Sequence, residues 1–226
     1  MGLRPGLVAL TAAAAVAASH AAVVEAVAPN ATRDEVEATT ASGLDDYWTA
    51  AFRRLGRAYR GPSDIVWYDF PTFTGCGITA LGSSSYCRVD RTIYLDSDLF
   101  ARSIDQIGAF AAATILAHEW GHEVQDELGL FRWAVVHRYW IGKELQADCY
   151  AGMFARATAD RGLSQKGDLD DATTLLASLG DDEHMSRTSP QAHGTPAERV
   201  GWFLRGYQQA TLKVCKSVYS VLYRKR

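Results

Sequence analysis

The stretch LAHEWGHEVQDELG, residues 116–129, decides the fold of this chain. It closes a run from Ser103 to Leu128 whose composition predicts one long helix. Residues four apart in a helix lie about 40° apart around its axis, so His118 and His122 share one face. Two imidazole nitrogens on one face can bind a single Zn²⁺ at about 2.0–2.1 Å. The stretch therefore predicts a metal-binding helix.

Glu119 follows the first of these histidines and completes an H-E-x-x-H motif. A carboxylate at this position lies beside the metal and can take a proton from water bound there. The alternative is a pair of histidines on a helix that faces the core, with Glu119 as a solvated charge. The apolar residues 115–117 argue against that alternative, because unpaired polar groups are costly in such a setting.

A catalytic zinc site needs a third protein ligand and one open position. The segment ELQAD, residues 144–148, places Glu144 and Asp148 on one helical face, so that one can bind the metal while the other orients a histidine. Cys149 lies about 140° around the helix from Glu144 and is a poor ligand. The longer metzincin pattern is excluded, because its third histidine would fall at position 128, where the chain has leucine.

The remaining pattern predicts an α+β fold in which a small sheet is followed by helices. Aromatic and β-branched runs predict the strands, and periodic runs bounded by caps or glycine predict the helices. The motif helix has a Ser103/Gln106 capping box, and Thr195 to Glu198 forms another with proline at the first helical position. The predicted strands are 64–73 and 86–95, and the predicted helices are 42–59, 103–128, 131–160, 168–179 and one that begins at Thr195.

Length and composition set the class of protein. The chain has 226 residues, a net charge of −3, 48% hydrophobic and 22% charged residues, which fits one domain. A chain that is mostly disordered, a multi-span membrane protein and a strongly basic nucleic-acid binder are unlike this composition. We therefore expect no nucleic-acid partner.

The N-terminus predicts export. Residues 1–21 contain Arg4, an apolar alanine-rich run and a small-residue site, the order of a secretory signal peptide. The alternative is an uncleaved anchor helix, which would tether the protein to the outer face of the cytoplasmic membrane. We expect residues 22–43 to form a flexible leader and residues 44–226 to form the folded domain.

Four cysteines in an exported chain suggest two disulfides, for which three connectivities exist. Cys76 and Cys87 flank a loop rich in glycine and serine, so we pair them. That choice leaves Cys149 with Cys215. A four-cysteine zinc site is disfavoured, because no C-x-x-C spacing occurs.

At this point the chain resembles the bacterial putative neutral zinc metallopeptidases. The resemblance covers about residues 44–215 and implies a zincin-type fold, with a small sheet packed on several long helices. It also implies that Glu144 is the third zinc ligand and that Asp148 supports a ligand histidine from behind. Many relatives look membrane-anchored through an N-terminal helix. The matching stretches include YCRVDRTIYLD at 86–96, LAHEWGHEVQDELG at 116–129, ELQADCYAGMFA at 144–155 and HGTPAERVGWFLRGY at 193–207.

These observations predict a peptidase with one Zn²⁺ per chain and Glu119 as the general base that activates water. His193 and Arg199 could each hold the oxyanion, although a structural role is favoured for both; we count His193 with Glu119 as a catalytic candidate. The strand at 92–95 could offer an edge to an extended polypeptide substrate. Two alternatives stay open, a non-catalytic domain with structural zinc and a zinc hydrolase of a non-peptide amide or ester.

Overall fold

The computed structural model describes residues 26–223, and in them nine helices accompany five short strands. Strands β1, β5 and β4 form a sheet in that order, with β1 parallel and β4 antiparallel to the central β5. Strands β2 and β3 form a separate antiparallel ribbon. The α+β prediction is confirmed, with a small sheet beside several long helices. The strands are β1 (Asp64–Tyr68), β2 (Phe73–Thr74), β3 (Gly77–Ile78), β4 (Ser85–Cys87) and β5 (Thr92–Asp96). The helices are α1 (Arg33–Arg54), α2 (Ser97–Gln106), α3 (Ala109–Glu127), α4 (Leu130–Val136), α5 (Trp140–Asp160), α6 (Asp168–Ser178), α7 (Pro196–Gln209), α8 (Leu212–Lys216) and α9 (Val218–Leu222).

Helix α3 forms the centre of the molecule. Every residue from Ala109 to Gln125 is buried, because α1, α2, α5 and α6 all pack on this helix. A helix that is enclosed on all sides is apolar around most of its circumference, which explains the alanine-rich first half of α3. The histidines of the motif are thus carried on the most rigidly packed element of the fold.

The first helix begins nine residues earlier than the sequence predicts. Thr32 and Glu35 form a reciprocal capping box, and α1 then runs from Arg33 to Arg54 with Val36 and Thr40 buried. The prediction of a flexible leader over residues 22–43 is therefore wrong from Thr32 onward. The buried face of α1 includes threonine and glycine, which do not score as apolar, so its period is hard to see in the sequence. The predicted signal peptide at 1–21 lies outside the described residues. The boundary between the signal peptide and the leader, after residue 21, stays a prediction.

Two predicted long helices are each split in two. The predicted helix 103–128 breaks at Ile107 and Gly108, and Ser103 lies inside α2, where its hydroxyl bonds to the carbonyl of Leu99. The Ser103/Gln106 capping box is therefore wrong. The predicted helix 131–160 breaks after α4, where Arg138 has a positive φ of 56°. The helix predicted at 168–179 and the Thr195 capping box are confirmed.

The edge predicted at 92–95 is also wrong. Strand β5 lies between β1 and β4, so both of its backbone edges are already paired. All five of its residues are buried, as expected of a central strand. The two outer strands are β1 and β4, and β4 is the one that contacts α3, so a strand added beside α3 would pair with β4.

Both predicted disulfides are present, Cys76–Cys87 and Cys149–Cys215. The first joins the β2–β3 ribbon to β4, and the second joins α5 to α8. Disulfides persist in oxidising compartments, which agrees with the expectation of export. Within residues 26–223, no helix has the length and apolar content needed to cross a bilayer. Secretion and membrane tethering stay predictions.

Glycines let α5 and α7 approach to backbone contact. A Cβ added at Gly206 would lie 1.9 Å from the carbonyl oxygen of Cys149, whereas one added at Gly201 of the same helix meets nothing within 4 Å. We expect Gly206→Ala to lower the free energy of unfolding by at least about 1–3 kcal/mol, because a backbone clash is relieved only by moving a helix. Gly201→Ala should be neutral or stabilising, since alanine favours helix by about 1 kcal/mol. Denaturant unfolding of both variants tests this close approach, and equal effects would contradict it.

Candidate metal centre

His118, His122 and Glu144 converge on one point between α3 and α5. His118 Nε2 lies 3.2 Å from Glu144 Oε2, and His122 Nε2 lies 3.3 Å from the same oxygen. All three side chains are buried. The structure thus brings together the three residues that the sequence predicts as metal ligands.

The spacing of these atoms fits a tetrahedral metal. Ligand atoms about 2.0–2.1 Å from a tetrahedral Zn²⁺ are about 3.3 Å apart, close to the two distances observed. A charge-assisted hydrogen bond between imidazole and carboxylate is usually shorter, about 2.7–2.9 Å. The donor set of two imidazoles and one carboxylate also suits zinc. The group could therefore hold this ion with one position open.

Close helix packing explains why Glu144 reaches the histidines. A Cβ added at Gly121 would lie 3.0 Å from the Cα of Ala147, so α3 and α5 touch at this glycine. The break before Trp140 starts α5 as a new helix, and Glu144 lies in its second turn. Glycine inside the motif thus serves the approach of the helix that carries the third ligand.

A carboxylate and a guanidinium stand behind His118. The Nδ1–H of His118 faces Asp148 Oδ1 at 2.7 Å, which leaves Nε2 directed at the metal group. Arg199 donates to both oxygens of Asp148, at 2.9 and 2.8 Å, and to the carbonyl of Leu179 at 3.1 Å. Asp148 therefore occupies the supporting position that the resemblance implies. Because the guanidinium of Arg199 donates its hydrogen bonds to Asp148 and Leu179, a structural role is favoured for Arg199 over a role at the oxyanion.

These charges set the ionisation of the group. Burial by itself lowers the pKa of His118, but Asp148 and Glu144 outweigh burial and raise it to about 9. Burial by itself raises the pKa of Asp148, but Arg199 and His118 outweigh burial and lower it. An imidazole binds metal only when that nitrogen is deprotonated, so metal binding at His118 competes with a proton.

Two residues that support the metal ligands, Gln125 and Lys143, are not predicted from the sequence. His122 Nδ1 bonds to Gln125 Oε1 at 2.9 Å, and Gln125 Nε2 donates to the carbonyl of Lys143 at 2.7 Å. Lys143 Nζ lies 2.6 Å from Glu144 Oε1, and its charge, with those of the imidazoles, holds the pKa of Glu144 well below its usual value although burial opposes this. The signal for Gln125 is its place one turn after His122, and that for Lys143 is its place next to Glu144.

The metal group opens into a cavity of about 490 Å³. Glu119 lines this cavity, and among the residues that the structure describes no group hydrogen-bonds its carboxylate. His193 lines it too, with its side chain 44% exposed and Nδ1 3.6 Å from Asp181. The rest of the wall has an apolar part and a polar part; the apolar part is Leu99, Ile115, Phe131, Leu175, Leu176 and Leu179, and the polar part includes Lys143, Gln191, Arg199 and the serines of segment 82–85.

Comparisons with known proteins agree with this arrangement. Residues 2–218 match the family described as putative neutral zinc metallopeptidase. The uncharacterized protein YpfJ of Escherichia coli is 33% identical over 193 residues, which cover 76% of this chain and 67% of YpfJ. The uncharacterized protein Rv2575 of Mycobacterium tuberculosis is 36% identical over 169 residues, which cover 63% of this chain and 57% of Rv2575. No solved structure matches the chain.

Proposed function

The chain belongs to the putative neutral zinc metallopeptidase family, and on this premise we propose that it is a zinc-dependent peptidase that hydrolyses polypeptide substrates. The observation that carries the proposal is the convergence of His118, His122 and Glu144 on one point of a cavity that Glu119 also lines. A structural zinc takes four protein ligands, whereas this group offers three and opens into a cavity. That difference favours catalysis over a structural role.

In the proposed mechanism, His118, His122 and Glu144 would hold one Zn²⁺, which when bound would act as a Lewis acid and lower the pKa of water to about 7. Glu119 accepts the proton of the attacking water and then donates it to the nitrogen of the leaving amine. Burial of Glu119 at the cavity wall keeps its carboxylate close to the reacting atoms. His193 is the candidate donor to the oxyanion, because it lines the same cavity and its side chain is partly exposed there.

Asp148, Arg199 and Gln125 serve the metal group by orientation. Each ligand histidine has its Nδ1 engaged, His118 with Asp148 and His122 with Gln125. Such partners set the ring orientation and the tautomer, so that Nε2 faces the metal. The catalytic atoms thus rest on α3, while the groups that orient them come from α3, α5 and α7.

For the substrate, we propose pairing along β4 in place of β5. The segment 82–85 that leads into β4 lines the cavity, and β4 is one of the two outer strands of the three-stranded sheet. An extended polypeptide can add to such an edge through backbone hydrogen bonds, which leaves side chains to decide specificity. This mode favours peptides over small amides or esters, which have no strand to add.

The test combines metal content with cleavage. We expect about one zinc per chain by elemental analysis, as predicted from a three-ligand site. Cleavage of a reduced and carboxymethylated protein should stop after treatment with a chelator and return when zinc is added back. Negligible zinc after growth with the metal, or no loss of zinc in Glu144→Ala, would refute the metal group. Bound zinc with hydrolysis of small esters only would refute the peptidase and support the other hydrolase.

A further inference from the structure

An exposed apolar surface lies on the segment that connects β1 to β4, residues 69–84, which contains the β2–β3 ribbon. Phe70, Phe73, Ile78 and Leu81 are 78%, 84%, 61% and 59% exposed, and we call these four side chains the hairpin surface. Among residues 26–223, ten large apolar side chains are exposed, and four of them are these. Clusters of this kind on soluble proteins usually mark interaction sites.

The register of the ribbon directs this surface outward. Phe73 pairs with Ile78 across β2 and β3, so their side chains lie on the same face. The neighbouring pair, Thr74 and Gly77, has the opposite orientation, and so does Thr79, which follows Ile78 in the chain and is buried. The exposure of Phe73 and Ile78 is therefore built into the strand pairing and does not come from a frayed loop.

The segment between β1 and β4 is also held in place at several points. The disulfide from Cys76 joins the tip of the ribbon to Cys87 in β4, and the amide of Gly75 donates to Asp90 Oδ2 at 2.8 Å. At the base, the hydroxyl of Tyr68 donates to the carbonyls of Ala80 and Ser83. A surface that is already ordered loses little entropy when it binds a partner.

The hairpin surface continues into the cavity. Leu81 is followed directly by the segment 82–85, which lines the cavity together with Glu119. The amide of Gly82 is fixed to Asp96 Oδ2 at 2.8 Å. A substrate polypeptide that leaves the cavity along the segment 82–85 would therefore reach the hairpin surface next.

The lack of charge on most of the segment between β1 and β4 limits the choice of partner. Residues 70–87, FPTFTGCGITALGSSSYC, contain no charged residue. Surfaces that bind anionic membranes usually place lysine and arginine beside their apolar side chains. Leu175, Leu176 and Leu179 form an apolar part of the cavity wall, whereas the metal group, Lys143 and Arg199 line other parts. An uncharged apolar surface that continues towards an apolar part of the cavity wall fits an extended apolar polypeptide.

We propose that the hairpin surface binds an apolar segment of an unfolded polypeptide whose scissile bond lies in the cavity. The inference rests on the proposed peptidase function and adds a substrate class to it, unfolded proteins rich in apolar residues. Folded proteins bury such segments, so they would lack this contact. The surface would raise the affinity for long substrates without touching the reacting atoms.

The test uses the double variant Phe73→Ser/Ile78→Ser in the full chain. For a 40-residue unstructured apolar polypeptide, we expect KM to rise about tenfold with kcat within twofold of wild type. For a six-residue peptide that fills only the cavity, kcat/KM should change less than twofold. The matched control Leu55→Ser/Val221→Ser removes two exposed apolar side chains elsewhere and should change neither substrate.

Binding measured on a Glu119→Gln background separates failure of the inference from failure of the proposed function. Fluorescence anisotropy of the labelled 40-residue polypeptide should show about tenfold weaker binding with the double variant, whether or not the wild type cleaves anything. Unchanged binding overturns the inference. It is also overturned if the double variant loses only binding to phosphatidylcholine vesicles, or loses only self-association in sedimentation, while polypeptide binding is retained.

Discussion

Replacing Glu119 with glutamine is expected to reduce turnover by about 10²–10⁴-fold or more, with zinc content and melting temperature nearly unchanged. Glutamine keeps the size and polarity of the side chain but cannot accept the proton. The three metal ligands are untouched, and no group among the described residues loses a hydrogen bond to the carboxylate. Kinetics, elemental analysis and thermal unfolding on one preparation check all three expectations.

Glu123→Gln is the matched control for this variant. Glu123 lies four residues later in α3, but its carboxylate accepts from Tyr59 at 2.7 Å and does not line the cavity. Burial raises the pKa of Glu123 to about 8, against the charge of Arg91, which lies 3.3 Å from its other carboxylate oxygen. We expect its turnover to stay within a few-fold of wild type. Activity of Glu119→Gln within about tenfold of wild type would show that Glu119 is not the base.

Replacing Arg199 with methionine should lower the free energy of unfolding by about 3–5 kcal/mol, because it leaves the buried carboxylate of Asp148 without its main partner. Arg199 and Asp148 are 4% and 0% exposed. Zinc affinity should fall as well, by up to about 10–100-fold, since Asp148 orients His118. Arg199→Lys should recover only part of the loss, because lysine cannot bond to both carboxylate oxygens with fixed geometry. Denaturant unfolding of chelator-treated protein and a competitive zinc titration measure the two effects.

The exposed pair of Arg187 and Glu198 is the control for this buried one. It has the same two-fold contact, at 3.0 and 2.7 Å, but the side chain of Arg187 is 56% exposed. Arg187→Met should cost no more than about 1 kcal/mol, because water screens the pair.

The lowered pKa of Asp148 means that the contribution of the buried pair is complete above about pH 4 and is lost as the pH falls through the folded pKa. Equal losses for Arg187→Met and Arg199→Met would contradict the special role of the buried pair.

Local patterns were sufficient to identify most of the metal group. His118 and His122 are one helical turn apart, so their common face follows from helix geometry alone. Glu119 has its place relative to them for the same reason. The roles of Glu144 and Asp148 needed the resemblance to the family, because spacing within their own helix left the two interchangeable. Only the packing of α5 on α3 at Gly121 shows that Glu144 Oε2 reaches both Nε2 atoms while Asp148 lies behind His118.

The α+β class, the position of the H-E-x-x-H motif on a helix, the two disulfide pairs and the Thr195 capping box all followed from the sequence, since each depends on residues close in the chain or on a choice among few pairings. The tertiary structure decided the rest. Thr40 joins the core only because α1 packs on α3, and β5 becomes a central strand only through its pairing with β1 and β4. Arg199 meets Asp148 across 51 positions of sequence. Such contacts depend on how elements distant in the chain pack, and no local periodicity records that information.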